Sequence, residues 1–458
     1  MELNNRTTQY PGLVTKETAT VIIGLDFGTS STKVVFQSPT LDNAYAIPFD
    51  TFGHETNRYL MPTRPYFALN GELMIDGLEK GIHLREIKRM IMTDKNDHFF
   101  DTSFELEADP MTLSIGYLAK VIQIARKWFL ETNVQIFGGY KIDWLLNIGV
   151  PSIGKEFEKK KAIFRNIAIL AWQNSIAEEK VTIENVRSTL NDLNNKELIL
   201  QEINIENIDV IQEVVAETVG YSNSDSRVPG LHILIDVGAG TMDVSGFRLN
   251  NNKNEDSKYF VLTGNVEWCG GFELHRSRIK TTKEKVNTWL LDYGKYEDPI
   301  KPVPNSLDKY LPTVPDLKTN IDEIDTVKFQ ESYEAIYRVI HCLKVDKDPN
   351  AEEWDSGIRT FMCGGAIENE FYKKVIAEVN RTCKKNKMAG LNEHKLEKPG
   401  NLIADDNPEN NYSRLAVAFG LSFRPEEIGE IKTPDEIKDV PKPEPPEDYT
   451  DHYMSHDT

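Results

Sequence analysis

Asp26 closes an apolar run in VIIGLDFGTSSTKVVF, residues 21–36, and is followed by Gly28, Thr29, Ser30, Ser31 and Thr32 before a second apolar run begins at Val34. β-Branched residues on both sides favour strands, so the segment is predicted as a hairpin. Gly28 lets the backbone approach a ligand closely, and the small hydroxyl residues offer O–H and N–H donors to phosphate oxygens. By itself such a hairpin could equally be an ordinary sheet edge. The pattern recurs in HILIDVGAGTMDVSGFRL, residues 232–249, where Asp236 stands as Asp26 does and Gly238, Ala239, Gly240 and Thr241 form the turn. Two such hairpins about 210 residues apart suggest two related halves facing one nucleotide. Each would cradle phosphate with backbone N–H groups and aim a carboxylate at a metal ion. A third segment, IRTFMCGGA at 358–366, reads as a strand ending in Gly364-Gly365 before a helical run at 369–379. A Gly pair at that junction lets a flat base lie against backbone, although Gly-Gly turns are common.

The elements that must position these groups follow from periodicity and turn signals. Residues 59–77 read as short strands around an Asn70-Gly71 turn. Residues 111–133 carry apolar positions at helical spacing and are predicted as a core helix. A buried strand at 143–150 leads through Pro151 into a long charged helix at 155–173, and 264–279 reads as strand, Gly270-Gly271, helix. Further helices are expected at 332–345 and 413–423. Trp268 and Trp354 read as core. The first 20 residues read as a flexible leader, without an apolar stretch of signal-peptide type.

At 458 residues with net charge −19, the chain is a poor match for a nucleic-acid backbone or an anionic membrane surface as main partner. Cys269, Cys342, Cys363 and Cys383 form no Cys-x-x-Cys pair, which fits reduced thiols rather than a disulfide framework or a zinc site. No apolar run reaches the ~18 residues of a membrane span. These features together predict a cytoplasmic protein.

In the order hairpin, hairpin, Gly-Gly, the chain resembles the actin, sugar-kinase and heat-shock-protein-70 ATPase superfamily. It is most similar to the nucleotide-binding domain of divergent heat-shock protein 70 chaperones, from about Val21 to about Phe423, without their peptide-binding domain. The resemblance implies an α/β, two-lobed actin-like ATPase fold, made of duplicated ribonuclease-H-like domains with a nucleotide cleft between them. Lobe I would span 21–226, and lobe II 227–411 with an outer subdomain shortened at about 281–326. A closing helix at 412–430 would return to lobe I, followed by a disordered, acidic, Pro-rich tail at 431–458.

ATP or ADP and Mg²⁺ are the implied cofactors. Lys88, in REIKRMIM, matches the lysine that reaches the γ-phosphate. Glu213, in IQEVVAETVGY, matches the glutamate that helps hold metal and water, with Asp26 and Asp236 around the same hydrated ion. Glu217 falls four residues on, so both glutamates could share one helix face. Thr241 matches the threonine near the γ-phosphate. Gly28, Thr29, Ser30, Ser31, Gly238, Ala239 and Gly240 would cradle phosphates, while Gly270, Gly271, Gly364, Gly365 and Ala366 would line the nucleoside. The implied function is a Mg-dependent ATPase acting as a nucleotide-driven switch on a protein partner.

The chain also departs from the family pattern. Val214 replaces a proline, and Ala239 replaces a glycine, where a positive φ would be strained. Glu368 stands where the family places an arginine over the adenine, and a carboxylate cannot make that cation–π contact. Arg414 stands where the family has an aspartate before the closing helix. By residue type alone, Lys88 and Arg89 also fit a solvated face, Glu213 a surface glutamate, and Thr241 a turn cap. Other functions compatible with these motifs are a sugar-kinase-type phosphotransferase, an actin-like filament or scaffold ATPase, and a pseudo-ATPase that binds nucleotide without turnover.

Overall fold

The two aspartate hairpins form the centres of two separate sheets. The computed structural model describes residues 17–50, 57–68, 70–75, 87–93, 109–151, 154–176, 180–250, 259–285, 304, 306–307, 325–404, 409–429, 431–437 and 439–440. In chain order the strands are β1 (Thr18–Phe27), β2 (Ser31–Ser38), β3 (Asn43–Ala46), β4 (Met61–Pro62), β5 (Tyr66–Phe67), β6 (Leu73–Met74), β7 (Lys141–Val150) and β8 (Ile208–Gln212). They continue with β9 (Gly230–Val237), β10 (Met242–Leu249), β11 (Tyr259–Glu267), β12 (Ile358–Cys363), β13 (Leu391–His394), β14 (Leu402–Ile403) and β15 (Ile431–Lys432). The helices are α1 (Ile87–Met92), α2 (Pro110–Thr132), α3 (Val134–Phe137), α4 (Gly154–Ile176), α5 (Ile183–Asn194), α6 (Glu213–Ser222) and α7 (Gly271–Lys285), then α8 (Thr326–Cys342), α9 (Glu353–Ser356), α10 (Glu370–Lys385), α11 (Ala416–Leu421) and α12 (Pro425–Ile428).

The first sheet runs β14–β3–β2–β1–β7–β8, with β4 also on β2, and the second runs β15–β11–β10–β9–β12–β13. Their senses match step for step. β1–β2 and β2–β3 are antiparallel, as are β9–β10 and β10–β11. β1–β7 and β7–β8 are parallel, as are β9–β12 and β12–β13, and even the short edge strands β14 and β15 join in the same sense. The protein is therefore mixed α/β with two sheets of one topology. β1 is buried almost throughout, reading as a continuous apolar run because helices cover both faces.

Three apolar clusters hold this arrangement. One packs α2 and α4 on the first sheet through Phe129, Phe164 and Trp172. Another packs α8 and α10 on the second through Ile336, Val339, Phe371 and Val375. The third lies between the sheets and is built around α6 and α11. These two helices exchange sides. α6 follows the first sheet, yet Tyr221 and Ser222 reach His232 and Tyr259 of the second. α11 follows the second sheet but lies on the first, where Asn147 of β7 donates to the Leu421 and Phe423 carbonyls at 2.8 Å. They cross in contact: a Cβ added to Gly420 would fall 1.7 Å from the Ala216 carbonyl oxygen, so only glycine fits there.

Several expected boundaries move. β1 begins at Thr18, inside the expected leader, because Thr18 pairs in parallel with Lys141; residues 1–16 lie outside the described residues. The chain returns to the first sheet earlier than residue 412, since Leu402 pairs with Ala44. The closing helix at 412–430 is three pieces: a 3-10 turn at Glu409–Arg414, then α11, then α12. The expected tail at 431–458 starts with fold: β15 pairs with β11, Lys347 pairs with Asp439 at 2.8 Å, and the Val440 N–H donates to the Asp346 carbonyl. The free edge of β11 offers ladder hydrogen bonds that composition alone does not reveal. Residues 441–458, and the shortened insert at 281–326 apart from the end of α7, residues 304, 306–307 and 325–326, lie outside the described residues.

Candidate functional site

Strand register decides what each aspartate faces. In the first hairpin Asp26 is directly opposite Lys33, whose Nζ lies 2.8 Å from Asp26 Oδ2. In the second, Asp236 is directly opposite Asp243. Residues paired in this way project to the same face, so one hairpin presents an ion pair and the other two carboxyl groups. Both turns are pinned from outside. The Thr63 hydroxyl donates to the Gly28 carbonyl at 2.9 Å and its N–H to Ser30 at 3.0 Å. In the second turn the N–H groups of Gly270, Gly271 and Phe272, leading into α7, donate to the carbonyls of Gly240, Gly238 and Ala239 at 3.0, 3.0 and 2.7 Å. With those carbonyls engaged, the turns have mainly N–H and O–H donors left to offer a ligand. Ala239 is not among the described residues with positive φ, so the strain anticipated there is absent.

A cleft of about 380 Å³ lies between the hairpins, and every residue expected at the site lines it except Gly270. Gly270 stands behind the second turn: a Cβ there would meet the Ala239 and Gly238 carbonyl oxygens at 2.7 Å. Gly364 has φ +84°, and its Cβ would meet Asp236 Oδ1 at 2.1 Å, so the close approach of β12 to the second aspartate requires glycine.

Lys88 is buried rather than on a solvated face. From α1 its Nζ lies 2.7 Å from Oε1 of Glu213, the first residue of α6. Glu217, one turn on, is also buried. Burial pushes the Glu213 carboxyl up, with Lys88 acting against the shift and Asp26 adding to it. Burial followed by the Asp236 charge holds Glu217 well above the usual carboxylate range. Asp236 is raised by burial against the pull of Lys33, and Asp243 is raised well above its ordinary value by burial, then by Asp236 and Glu213. Oδ1 of Asp236 and Oδ1 of Asp243 are buried without a hydrogen-bond partner.

Acidic groups thus outnumber the Lys33 and Lys88 amines that face them, and a cation would relieve both the repulsion and the orphaned oxygens. Among the described residues no three His, Cys, Asp or Glu side chains are placed to hold a metal ion directly. Asp26, Asp236 and Glu213, the residues expected around a hydrated ion, all line the cleft.

The Gly364–Gly365 corner of the cleft differs from expectation. Gly365 has a side chain of the protein beside it: its Cβ would lie 2.3 Å from Nη1 of Arg414. Glu368 is at the rim, exposed and paired with Lys373 at 2.7 Å. Trp268, expected in the core, is a wall of the cleft, with the Arg89 guanidinium 5.0 Å from its ring centroid. Arg89 also pairs with Glu273, joining α1 to α7 across the cleft mouth.

Sequence reasoning assigned no role to Lys33, Thr63, Trp268 or Arg414. Counting residues back from a four-residue turn would have put Lys33 opposite Asp26. Thr63 and Arg414 carry no local signal, because they reach the cleft through β4 and the segment before α11. A scan against protein-family models finds no match for this chain, and a search of the curated proteins finds none either. The four cysteines are free thiols. Among the described residues no helix is long and apolar enough to cross a membrane.

Proposed function

We propose that the protein is a Mg-dependent, ATP-binding ATPase of the actin-like, heat-shock-protein-70-like kind, acting as a nucleotide-driven switch on a protein partner. The observation that carries this reading is the pair of carboxylate-bearing hairpins, of one register and on sheets of one topology, facing a single cleft. Phosphoryl transfer to water asks mainly for positioning and charge stabilisation, and the residues divide along those lines. Gly28–Ser31 and Gly238–Gly240 supply donors for phosphate oxygens. Lys88, held by Glu213, is the amine that meets the terminal phosphate. Asp26, Asp236 and Glu213 would hold the hydrated metal, and Thr241 would lie beside the attacking water. Bound Mg²⁺ would supply neutralisation of phosphate charge.

A ligand gripped by both hairpins ties the two sheets together, and α6 and α11, crossing at Gly420, are where they would turn on release. The test is Mg-ATP binding and single-turnover hydrolysis by the wild type, Lys88→Ala and Lys88→Met. Binding is expected to persist in the variants while hydrolysis falls about 100-fold or more. Binding without turnover in the wild type would make the protein a nucleotide sensor, and no binding would overturn the reading.

A further inference from the structure

We propose that Arg414 is the residue that makes the cleft select for polyphosphate, its guanidinium pairing with the phosphates of the bound nucleotide. This rests on the nucleotide reading above. Arg414 ends the 3-10 turn before α11 and lines the cleft. Its guanidinium packs against Gly365, where a Cβ would meet Nη1, Cζ and Nη2 at 2.3, 2.7 and 3.1 Å. A side chain at residue 365 would displace it. Among the described residues nothing makes a hydrogen bond or ion pair with Arg414, whereas Arg89 is taken by Glu273. Asp236 and Asp26 attract it from a distance without bonding it.

A guanidinium has five donors in a rigid fork, and those of Arg414 face the cleft with no acceptor from the protein. Phosphate is the acceptor whose geometry that fork matches. Position favours phosphate over the base. Gly364, the neighbour of Gly365, abuts the Asp236 carboxyl, which puts Arg414 at the metal end of the cleft. The residue placed to reach a base, Glu368, points to Lys373 at the rim. An arginine delivered by the segment that leads into α11 would also couple phosphate occupancy to the helix that joins the two sheets.

The experiment is calorimetric titration of wild type, Arg414→Ala and Arg414→Lys with adenosine, AMP, ADP, ATP and tripolyphosphate in the presence of Mg²⁺, with melting of each ligand-free protein. Arg414→Ala is expected to lose about 30-fold or more in affinity for ADP, ATP and tripolyphosphate, with adenosine unchanged. Lysine should restore only part, since it lacks the fork. The ligand-free Arg414→Ala protein should melt close to wild type, because the guanidinium makes no bond in the fold and only its attraction to Asp236 and Asp26 is lost. Equal losses for adenosine and ATP, or unchanged ATP affinity, would overturn the proposal while leaving the nucleotide reading intact. Arg414-dependent binding of tripolyphosphate with no binding of any nucleotide would support Arg414 and sink the nucleotide reading. A wild type that binds none of these probes removes both.

Discussion

The first hairpin sets Asp26 against Lys33 at 2.8 Å, while the second, built to the same register, sets Asp236 against Asp243. One half of the cleft is neutralised within itself. The other holds two carboxyl groups whose proton affinity burial raises, that of Asp243 further by the Asp236 charge, each with a buried oxygen that bonds nothing. Two sheets of one topology are made chemically unlike by the side chain at one register position, Lys33 in the first and Asp243 in the second. The first half would then present a ready-formed anchor, and the second a demand for a cation that its own strands do not meet. The turns differ likewise: the first is pinned by Thr63, the second by the backbone entering α7.

The largest effect expected from this asymmetry is one of opposite sign. Asp26→Asn would leave half-buried Lys33 without the carboxylate it bonds and should destabilise the ligand-free protein by about 1.5–3 kcal/mol. Asp236→Asn removes one of two facing carboxyls and should leave stability unchanged or higher. Both should weaken Mg-nucleotide binding. Denaturant unfolding of the two variants checks this, and a loss of equal size in both would break the comparison.

A second asymmetry lies deeper in the strands. His232 of β9 occupies the register position that Ile22 holds in β1. It stacks on Phe247 and Phe361 and meets the Tyr221 hydroxyl, with Arg359, Glu353 and Arg227 as the charges around it. Burial pushes its pKa down to about 4 from 6.5. As pH falls through the ordinary value, the unfolded chain gains a proton that the folded one refuses, so stability drops between about pH 6.5 and 4. The loss should reach roughly 2 kcal/mol by pH 5. Urea unfolding of wild type and His232→Gln at pH 7.5 and 5 isolates it, and identical pH slopes would show that the histidine does not titrate in this way.

The smallest effect concerns the turns. Thr63→Val removes one side-chain donor from the Gly28 carbonyl and should cost about 1 kcal/mol, with a modest loss of ligand affinity. Only proline, which lacks an N–H, could remove a backbone bond of the second turn. If Thr63→Val leaves both stability and binding untouched, the first turn does not depend on its outside pin.

Much of this was legible beforehand because the information is local. β-Branched runs around a small-residue turn announce hairpins, helical spacing over 111–133 announces α2, and the matching places of Asp26 and Asp236 announce two hairpins of one kind. The placement of residues 431–437 and 439–440 was not legible: they precede the proline-rich run and read as part of it, and what places them is the free edge of β11 and the Lys347 side chain. Trp268 read as core because size and apolarity do not distinguish a buried wall from a cleft wall.

By itself, the amino-acid sequence determined which segments become strands, where they turn, and that two carboxylates sit at equivalent places in two halves, since these follow from periodicity and turn chemistry within about 20 residues. Only the tertiary structure decided what those carboxylates face. Lys88 meets Glu213 across 125 positions of sequence, Thr63 pins a turn 35 residues away, and Arg414 lies beside Gly365 from the last helical segments of the chain. Charge acts through space over a few ångströms, and which side chains come that close is set by how the sheets and their crossing helices pack.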